Sequence, residues 1–256
     1  MRYLTSILVF VGLIFSVPDS HAQMVKDSTA LPVNHPLHHY NAARSFIIPS
    51  SLILYGVLAQ NLQPLRNLNE SVKNRLAAPV VKQTNLDDYL QFVPAVSSHV
   101  ISLMGVKAKH KLFDRLMIDG MTAAISISTV YITKKISHET RPDGSDDQSF
   151  PSNHVATAFA SAELLRQEYG DVSPWYGIGG YAVATATAYL RMYNNQHWFG
   201  DVLAGAGIGI ISAKIATQLF PVAKKILFHN KTPFWGAVVP SYQNGNLAFH
   251  FFKEIK

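Results

Sequence analysis

The chain has 256 residues, enough for one large domain or two small ones with a sizeable hydrophobic core. It contains no cysteine, which excludes disulfide scaffolds, thiolate catalysis and cysteine-ligated zinc. Its formal net charge of +6 favours anionic partners. No dense run of lysine and arginine with interleaved aromatic residues occurs, so no nucleic-acid partner is expected.

The N-terminus predicts a signal peptide over residues 1–22. Arg2 supplies the positive start, residues 3–17 the apolar segment, and Ser20-His21-Ala22 the small-x-small cleavage site. The alternative is a membrane anchor, but the apolar run is short for a span and Pro18-Asp19 closes it. We therefore expect an exported protein, in the periplasm or in the membrane with its active site facing the periplasm.

Residues 23–44 are polar and interrupted by proline, which is typical of a leader without regular structure. Residues 45–65 carry no charge and predict an apolar helix whose length approaches that of a membrane span. Residues 67–78 predict a more polar helix that ends at Pro79.

The next apolar stretch covers residues 86–104, and its acidic start, Asp87 and Asp88, suits an N-terminal helical turn. A long uncharged helix is predicted over residues 116–133, with Lys134 at its C-terminal end, where the helix dipole favours a cation.

Residues 138–150 predict a loop, because Arg141-Pro142 ends the helix and Asp143 to Asp147 have turn composition. Ser152 is placed as the N-cap of a helix that ends at Tyr169. Charged residues near the end of that helix indicate that its far end is exposed to solvent; they are Glu163, Arg166 and Glu168.

An uncharged helix follows over residues 172–190, the third run that approaches spanning length. Asp201 begins the last long helix, which is predicted to end at Phe220 because Pro221 follows. In the tail, residues 238–242 and 247–252 have strand composition, and Asn244-Gly245 between them predicts a hairpin turn.

The predicted architecture is all-α, a compact bundle of about six helices with a small C-terminal β-hairpin. Its parts are the signal peptide (1–22), the polar leader (23–44), a helical domain (45–228) and the hairpin tail (229–256). Spans of the membrane and the interior of a soluble bundle both account for the uncharged helices.

Three short clusters carry the chemistry of the chain. They are Lys134 with Arg141-Pro142, then Pro151-Ser152-Asn153-His154, then Arg191 with His197 and Asp201. Cations can hold phosphate oxygens, one imidazole can attack phosphorus, a second can protonate the departing oxygen, and a carboxylate can orient the attacker. This set of side chains can split a phosphate ester without a metal.

The order and spacing of these clusters resemble the superfamily of type-2 phosphatidic acid phosphatases, bacterial acid phosphatases and vanadium haloperoxidases. The resemblance covers residues 115–220 and implies the helical-bundle fold of that superfamily. It also implies that His197 is the attacking histidine and His154 the general acid. Asp201 lies four residues after His197, so a helical path puts both on one face and lets the carboxylate accept a hydrogen bond from the ring.

The resemblance assigns phosphate binding to Lys134, Arg141 and Arg191, with Ser152 adding a hydroxyl. The chain departs from the family at two positions. Asn153 stands where the family usually has glycine, although asparagine tolerates the left-handed backbone and its amide can still face the phosphate. Leu190 replaces the usual serine before Arg191.

The predicted function is therefore a metal-independent phosphatase of the cell envelope. Its substrate would be a small phosphomonoester, a lipid phosphate or a lipid pyrophosphate, cleaved through a phosphohistidine intermediate. No metal or other cofactor is expected, although vanadate or phosphate can occupy such a site. The alternatives are a vanadate-dependent haloperoxidase and a catalytically silent phospholipid-binding protein of the envelope.

Overall fold

The structure, a computed structural model, describes residues 42–77, 83–228, 236–243 and 246–253. The predicted signal peptide (1–22) and most of the predicted leader lie outside these ranges. The last three residues of that leader belong to a short 3-10 helix, Ala42–Phe46.

The described residues confirm the all-α class. They contain eight α-helices, numbered in chain order: α1 Ile47–Asn61, α2 Gln63–Leu76, α3 Leu86–Leu90, α4 Val93–Leu103, α5 Leu112–Ser137, α6 Asn153–Tyr169, α7 Pro174–Tyr193 and α8 Phe199–Phe228. Two strands, β1 (Gly236–Gln243) and β2 (Asn246–Lys253), pair antiparallel. The turn residues Asn244-Gly245 lie outside the described ranges, and the hairpin tail as a separate unit stays a prediction.

Proline accounts for helices that the sequence analysis had not separated. The chain breaks at Leu62, and Pro64 lies in the first turn of α2, where its missing N–H costs no helical hydrogen bond. The helices on either side of this break meet at 96°, so the prediction of one helix over 45–65 is wrong at its C-terminal end. Pro94 lies likewise in the first turn of α4 and separates it from α3.

Helix α8 continues through Pro221 to Phe228, so the predicted end at Phe220 is wrong. Two contacts with the start of α5 hold its last turns. Lys224 Nζ lies 2.7 Å from Asp114 Oδ1, and the Phe228 ring meets the Phe113 ring edge-on at 5.4 Å. Tertiary contacts therefore extend the helix beyond a residue that would otherwise end it.

Helix α6 is the centre of the bundle. It packs against α7 and α8, and α8 in turn packs against α1 and α5. Helix α8 approaches α6 at glycines: a Cβ on Gly205 would lie 2.6 Å from the Ser152 carbonyl oxygen, and one on Gly209 would overlap the Ala156 carbonyl oxygen. This close packing brings the start of α6 against the first turns of α8.

The two carboxylates in α6, Glu163 and Glu168, are buried, whereas the Arg166 side chain is 43% exposed. The Glu163 carboxylate binds Arg166, Lys214 and the Tyr181 hydroxyl, and the residue is only 1% exposed. Glu168 lies 2.6 Å from His110 Nδ1. The prediction that this end faces solvent is wrong for the two carboxylates, because Lys214 of α8 binds Glu163 and His110, in the connector before α5, binds Glu168.

Two described helices, α5 and α8, are long and apolar enough to cross a membrane. Of the three uncharged runs, residues 116–133 lie inside α5, and residues 45–65 belong to the bent pair of α1 and α2. Most of the 172–190 run lies in α7, which is not among the two helices that could cross a membrane. Only 22% of the apolar window of α5 is buried in the protein. Its exposed apolar side chains, among them Ile127, Ile132 and Ile136, need another apolar environment.

Candidate active site

The predicted site residues lie at helix ends on one side of the bundle. Lys134 is in the last turn of α5, Ser152 directly precedes α6, Arg191 is in the last turn of α7, and Asp201 is in the first turn of α8. Arg141 and His197 belong to the two connecting segments between these helices. Packing of α5, α6, α7 and α8 thus gathers segments that are far apart in sequence.

Asp201 ties three of these segments together. It is 2% exposed, and its Oδ2 accepts hydrogen bonds from Ser149 Oγ at 2.5 Å and from the Trp198 backbone N–H at 2.9 Å. Its backbone carbonyl accepts from the N–H of Ser152 at 3.1 Å. The loop before α6, the start of α6 and the connector before α8 are therefore held to one carboxylate residue.

His197 is buried beside Asp201, but the expected hydrogen bond between them is not formed. Its Nδ1 lies 3.6 Å from Asp201 Oδ2, which is longer than a hydrogen bond. The reason is that Oδ2 already accepts two shorter bonds, from Ser149 and Trp198. Nδ1 is left buried with no hydrogen-bond partner.

The His197 ring is held in its neutral form. Burial, followed by the positive charges of Arg191, Lys134 and Arg141, lowers the pKa of His197 well below its usual value, and His154 acts in the same direction. The positive charges of Lys134, Arg141 and Arg191 thus act on the buried ring from three different segments of the chain. A neutral imidazole retains the lone pair that a nucleophile needs.

His154 is the second residue of α6, and its side chain is 24% exposed. Its Nε2 lies 2.9 Å from Asp88 Oδ1. Burial and the charge of Arg191 lower the pKa of His154, while Asp88 and Asp87 raise it in part. The ring is therefore held between a guanidinium and two carboxylates.

Each of the three predicted phosphate-binding cations donates a hydrogen bond to an oxygen atom of the protein. Lys134 Nζ donates to the Gln148 carbonyl oxygen, and Arg141 Nε donates to Asp146 Oδ1 at 2.7 Å. Arg191 NH1 donates to Asp87 Oδ2 at 2.6 Å. These partners orient the cations but do not use all of their donors.

Two buried donors at the site have no partner within the described residues. They are Ser152 Oγ and Arg191 Nε. Ser152 stands at the N-cap position, as predicted, but its side chain makes no capping hydrogen bond. A buried donor without an acceptor is costly, so an anion that accepts from both would relieve that cost.

A cavity of about 430 Å³ opens beside His154, between α4, α5 and α6. The exposed Asn153 lines it together with His154, and the remaining wall combines small polar and apolar side chains, including Ala95, Ala123 and Thr157. The residue that departs from the family pattern therefore faces this cavity. Leu190 precedes Arg191 in α7 and is half-buried.

Three further residues belong to the site although no sequence pattern marked them, namely Ser149, Asp87 and Asp88. The two aspartates were assigned only to a helical turn. Asp88 contacts His154, 66 positions away, and Asp87 contacts Arg191, 104 positions away, so no local pattern could reveal these contacts.

Comparison with known proteins gives one consistent family. The PAP2 superfamily model matches residues 116–225. A stretch of 133 residues, 52% of this chain, is 38% identical to the lipid A 1-phosphatase of Porphyromonas gingivalis, and it spans 30% of that protein's length.

Two crystal structures are similar, each at 20% sequence identity. LpxE from Aquifex aeolicus has a TM-score of 0.44 over 59% of this chain and 93% of its own. The transmembrane PAP2 type phosphatidylglycerolphosphate phosphatase from Bacillus subtilis has a TM-score of 0.45 over 70% of this chain and 98% of its own. The residues that the family model matches, 116–225, include all three sequence clusters, so the similarity to the PAP2 superfamily covers the candidate site.

Proposed function

We propose that the chain is a metal-independent lipid phosphatase of the PAP2 type. The observation that carries the proposal is the pair of buried donors without partners, Ser152 Oγ and Arg191 Nε, together with the three cations whose charges act on buried His197. A phosphate group supplies the acceptor oxygens and the negative charge that this arrangement lacks.

The proposed reaction has two steps. His197 attacks phosphorus and forms an N–P bond while the bond to the leaving oxygen breaks, and His154 gives its proton to that oxygen. Water, deprotonated by His154, then attacks phosphorus and breaks the N–P bond, which releases phosphate and restores both histidines. Asp201 stabilises the charge on His197, and the cations Lys134, Arg141 and Arg191 stabilise the charge on the phosphoryl oxygens.

A lipid phosphate is the proposed substrate class. In an in-line displacement the leaving group departs opposite His197, on the side of the general acid His154, and the cavity of about 430 Å³ lies on that side. The named relative at 38% identity is a lipid A 1-phosphatase, which supports a phosphorylated lipid of that kind. The haloperoxidase and the silent binding protein are not favoured, since the relatives that carry a stated activity are phosphatases.

Association with a membrane follows from the same proposal. Helices α5 and α8 run antiparallel, since Asp114 at the start of α5 contacts Lys224 near the end of α8, so the C-terminal end of α5 and the start of α8 would present the site at one membrane face. The predicted export signal favours the periplasmic face. Extraction of the protein by detergent, and its retention in membranes washed with carbonate, tests the association.

The catalytic proposal is tested by phosphate release from a lipid phosphate in mixed micelles containing EDTA. We expect His197→Ala to lower kcat by about 10³-fold or more, because it removes the nucleophile itself. Labelled substrate should leave an acid-labile phosphate on the wild-type protein and none on His197→Ala.

The matched control is His138→Asn. His138 lies in the loop after α5 with a φ of 47°, a conformation that asparagine accepts, and its side chain is 68% exposed. This variant should retain activity. Wild-type rates in His197→Ala, or release that depends on added metal, would contradict the proposal.

A further inference from the structure

Helix α3 brings two adjacent carboxylates to the site from a part of the chain outside the three sequence clusters. Asp87 Oδ2 accepts a hydrogen bond from Arg191 NH1 at 2.6 Å, and Asp87 Oδ1 accepts one from Asn194 Nδ2 at 2.9 Å. Asp88 Oδ1 lies 2.9 Å from His154 Nε2. One acidic pair therefore contacts both a predicted phosphate-binding cation and the predicted general acid.

The segment that carries this pair is fixed to α7. The Asn194 side chain donates to the Thr84 carbonyl oxygen at 2.7 Å and accepts from the Thr84 backbone N–H at 3.1 Å. Asp87 is 1% exposed. Although the Asp88 side chain is 52% exposed, its backbone is held by these buried neighbours, so its contact with His154 differs from a chance surface ion pair.

We propose that Asp88 is a positioning residue for His154, so that the site contains a second carboxylate–imidazole pair beside His197 and Asp201. The inference rests on the proposed phosphatase function. The Asp88 carboxylate accepts the Nε2–H of His154, which leaves Nδ1 as the nitrogen that faces the phosphoryl group. When Nδ1 gives its proton to the leaving oxygen, the neutral ring keeps its Nε2–H on Asp88 and its orientation.

The charges around His154 explain why such a partner is needed. Asp87 and Asp88 face the ring from α3, Arg191 faces it from α7, and His197 lies on the connector before α8. Burial and Arg191 lower the pKa of His154, which works against a general acid that must hold a proton. Asp88 opposes this effect through its hydrogen bond and its charge, and Asp87 opposes it through its charge.

The same three side chains could hold a metal by geometry, because ligand atoms of Asp87, Asp88 and His154 lie within 4.8 Å of one another. The Asp87 carboxylate is already bound by Arg191 and Asn194, and the guanidinium beside it would repel a metal cation. The contacts therefore favour positioning over metal binding.

The test compares two substrates that differ in how much help their leaving group needs. An alkyl or lipid phosphate has a poor leaving group that requires the proton of His154, whereas p-nitrophenyl phosphate leaves with little help. For Asp88→Asn in the full-length protein we expect kcat/KM to fall by about 10-fold to 100-fold on the lipid phosphate, less than the 10²- to 10⁴-fold that a general acid itself contributes. The kcat/KM for p-nitrophenyl phosphate should change by less than about threefold, because this ratio does not include the later hydrolysis step, which uses His154 for both substrates.

The pH profile gives a second readout that a merely structural role would not move. Loss of the Asp88 charge lowers the pKa of His154 further, so kcat/KM on the lipid phosphate should fall at a pH about one unit lower than in the wild type. Asp88→Glu should recover much of the lost activity because it restores the carboxylate.

Asp147→Asn is the matched control. Asp147 also pairs with a histidine, because its Oδ2 lies 3.2 Å from His138 Nδ1 on the exposed loop. The substitution should leave the rates on both substrates and the pH profile unchanged. An equal loss on both substrates, or an unchanged pH profile in Asp88→Asn, overturns the positioning role. If His197→Ala keeps its activity, the phosphatase proposal itself fails, so the two failures are distinguishable.

Discussion

At the scale of single residues, the geometry around His197 depends on one hydrogen-bond acceptor, Asp201 Oδ2. Asp201 Oδ2 is shared between Ser149 and Trp198, and His197 Nδ1 is left 3.6 Å away from it. A small movement of the ring is enough to turn this contact into a hydrogen bond when charge develops on His197. Ser149 therefore competes with His197 for the same carboxylate oxygen.

The consequence can be tested with two substitutions. We expect Asp201→Asn to lower kcat by about 10²- to 10⁴-fold, because the amide cannot stabilise the charged imidazole and permits the wrong tautomer. Ser149→Ala removes one charge-assisted hydrogen bond, worth about 1.5–3 kcal/mol of stability, but leaves the Asp201 carboxylate in place, so kcat should change by less than about tenfold. Phosphate release from a lipid phosphate measures both, and equal losses would contradict the distinct roles.

At the scale of elements, the site is assembled where helices approach at small residues. Gly205 of α8 admits the Ser152 carbonyl oxygen and Gly209 admits that of Ala156. Both contacts lie at the start of α6, the same part of the chain that carries Ser152 and His154. The packing of α8 on α6 thus sets the position of the site.

We expect Gly209→Ala to reduce stability by about 1–3 kcal/mol, because its Cβ would overlap the Ala156 carbonyl oxygen and lie 2.8 Å from the Ala160 nitrogen. The control is Gly120→Ala in α5, where a Cβ would meet nothing within 4 Å. That change should stabilise the protein by up to about 1 kcal/mol, because alanine is the better helix former. Thermal unfolding in detergent checks both, and equal shifts would argue against close packing at Gly209.

At the scale of the whole molecule, the fold joins a polar site to a cavity with a partly apolar wall and to two long apolar helices. The cavity between α4, α5 and α6 opens beside His154, while α5 leaves most of its apolar window unburied within the described residues. A substrate with a charged head and an apolar body fits both features. A soluble phosphomonoester would use only the polar part.

Filling the cavity should therefore separate the two substrate classes. We expect Thr157→Phe, at a half-buried wall position, to lower kcat/KM for a lipid phosphate by about tenfold or more while p-nitrophenyl phosphate is little affected. Thr185→Phe adds the same ring to an exposed position on α7 that does not line this cavity and serves as the control. An equal effect on both substrates would exclude the cavity as a lipid site.

Local sequence patterns predicted the features that depend on neighbouring residues. The position of Ser152 before α6, the loop after α5 and the place of Lys134 in the last turn of α5 all follow from residues within a few positions. The same patterns failed for Glu163 and Glu168, which were predicted to be exposed. Their burial depends on Lys214 and His110, which other segments supply.

The sequence by itself determined the chemical inventory of this protein: two histidines, three cations and a carboxylate in an order that matches one superfamily. Only the tertiary structure decided which acceptors orient them, namely Asp87 for Arg191 and Asp88 for His154. The physical reason is range. Helix ends and motif spacing are fixed by contacts along the chain, whereas a carboxylate 66 or 104 residues away is brought to the site only by the packing of helices.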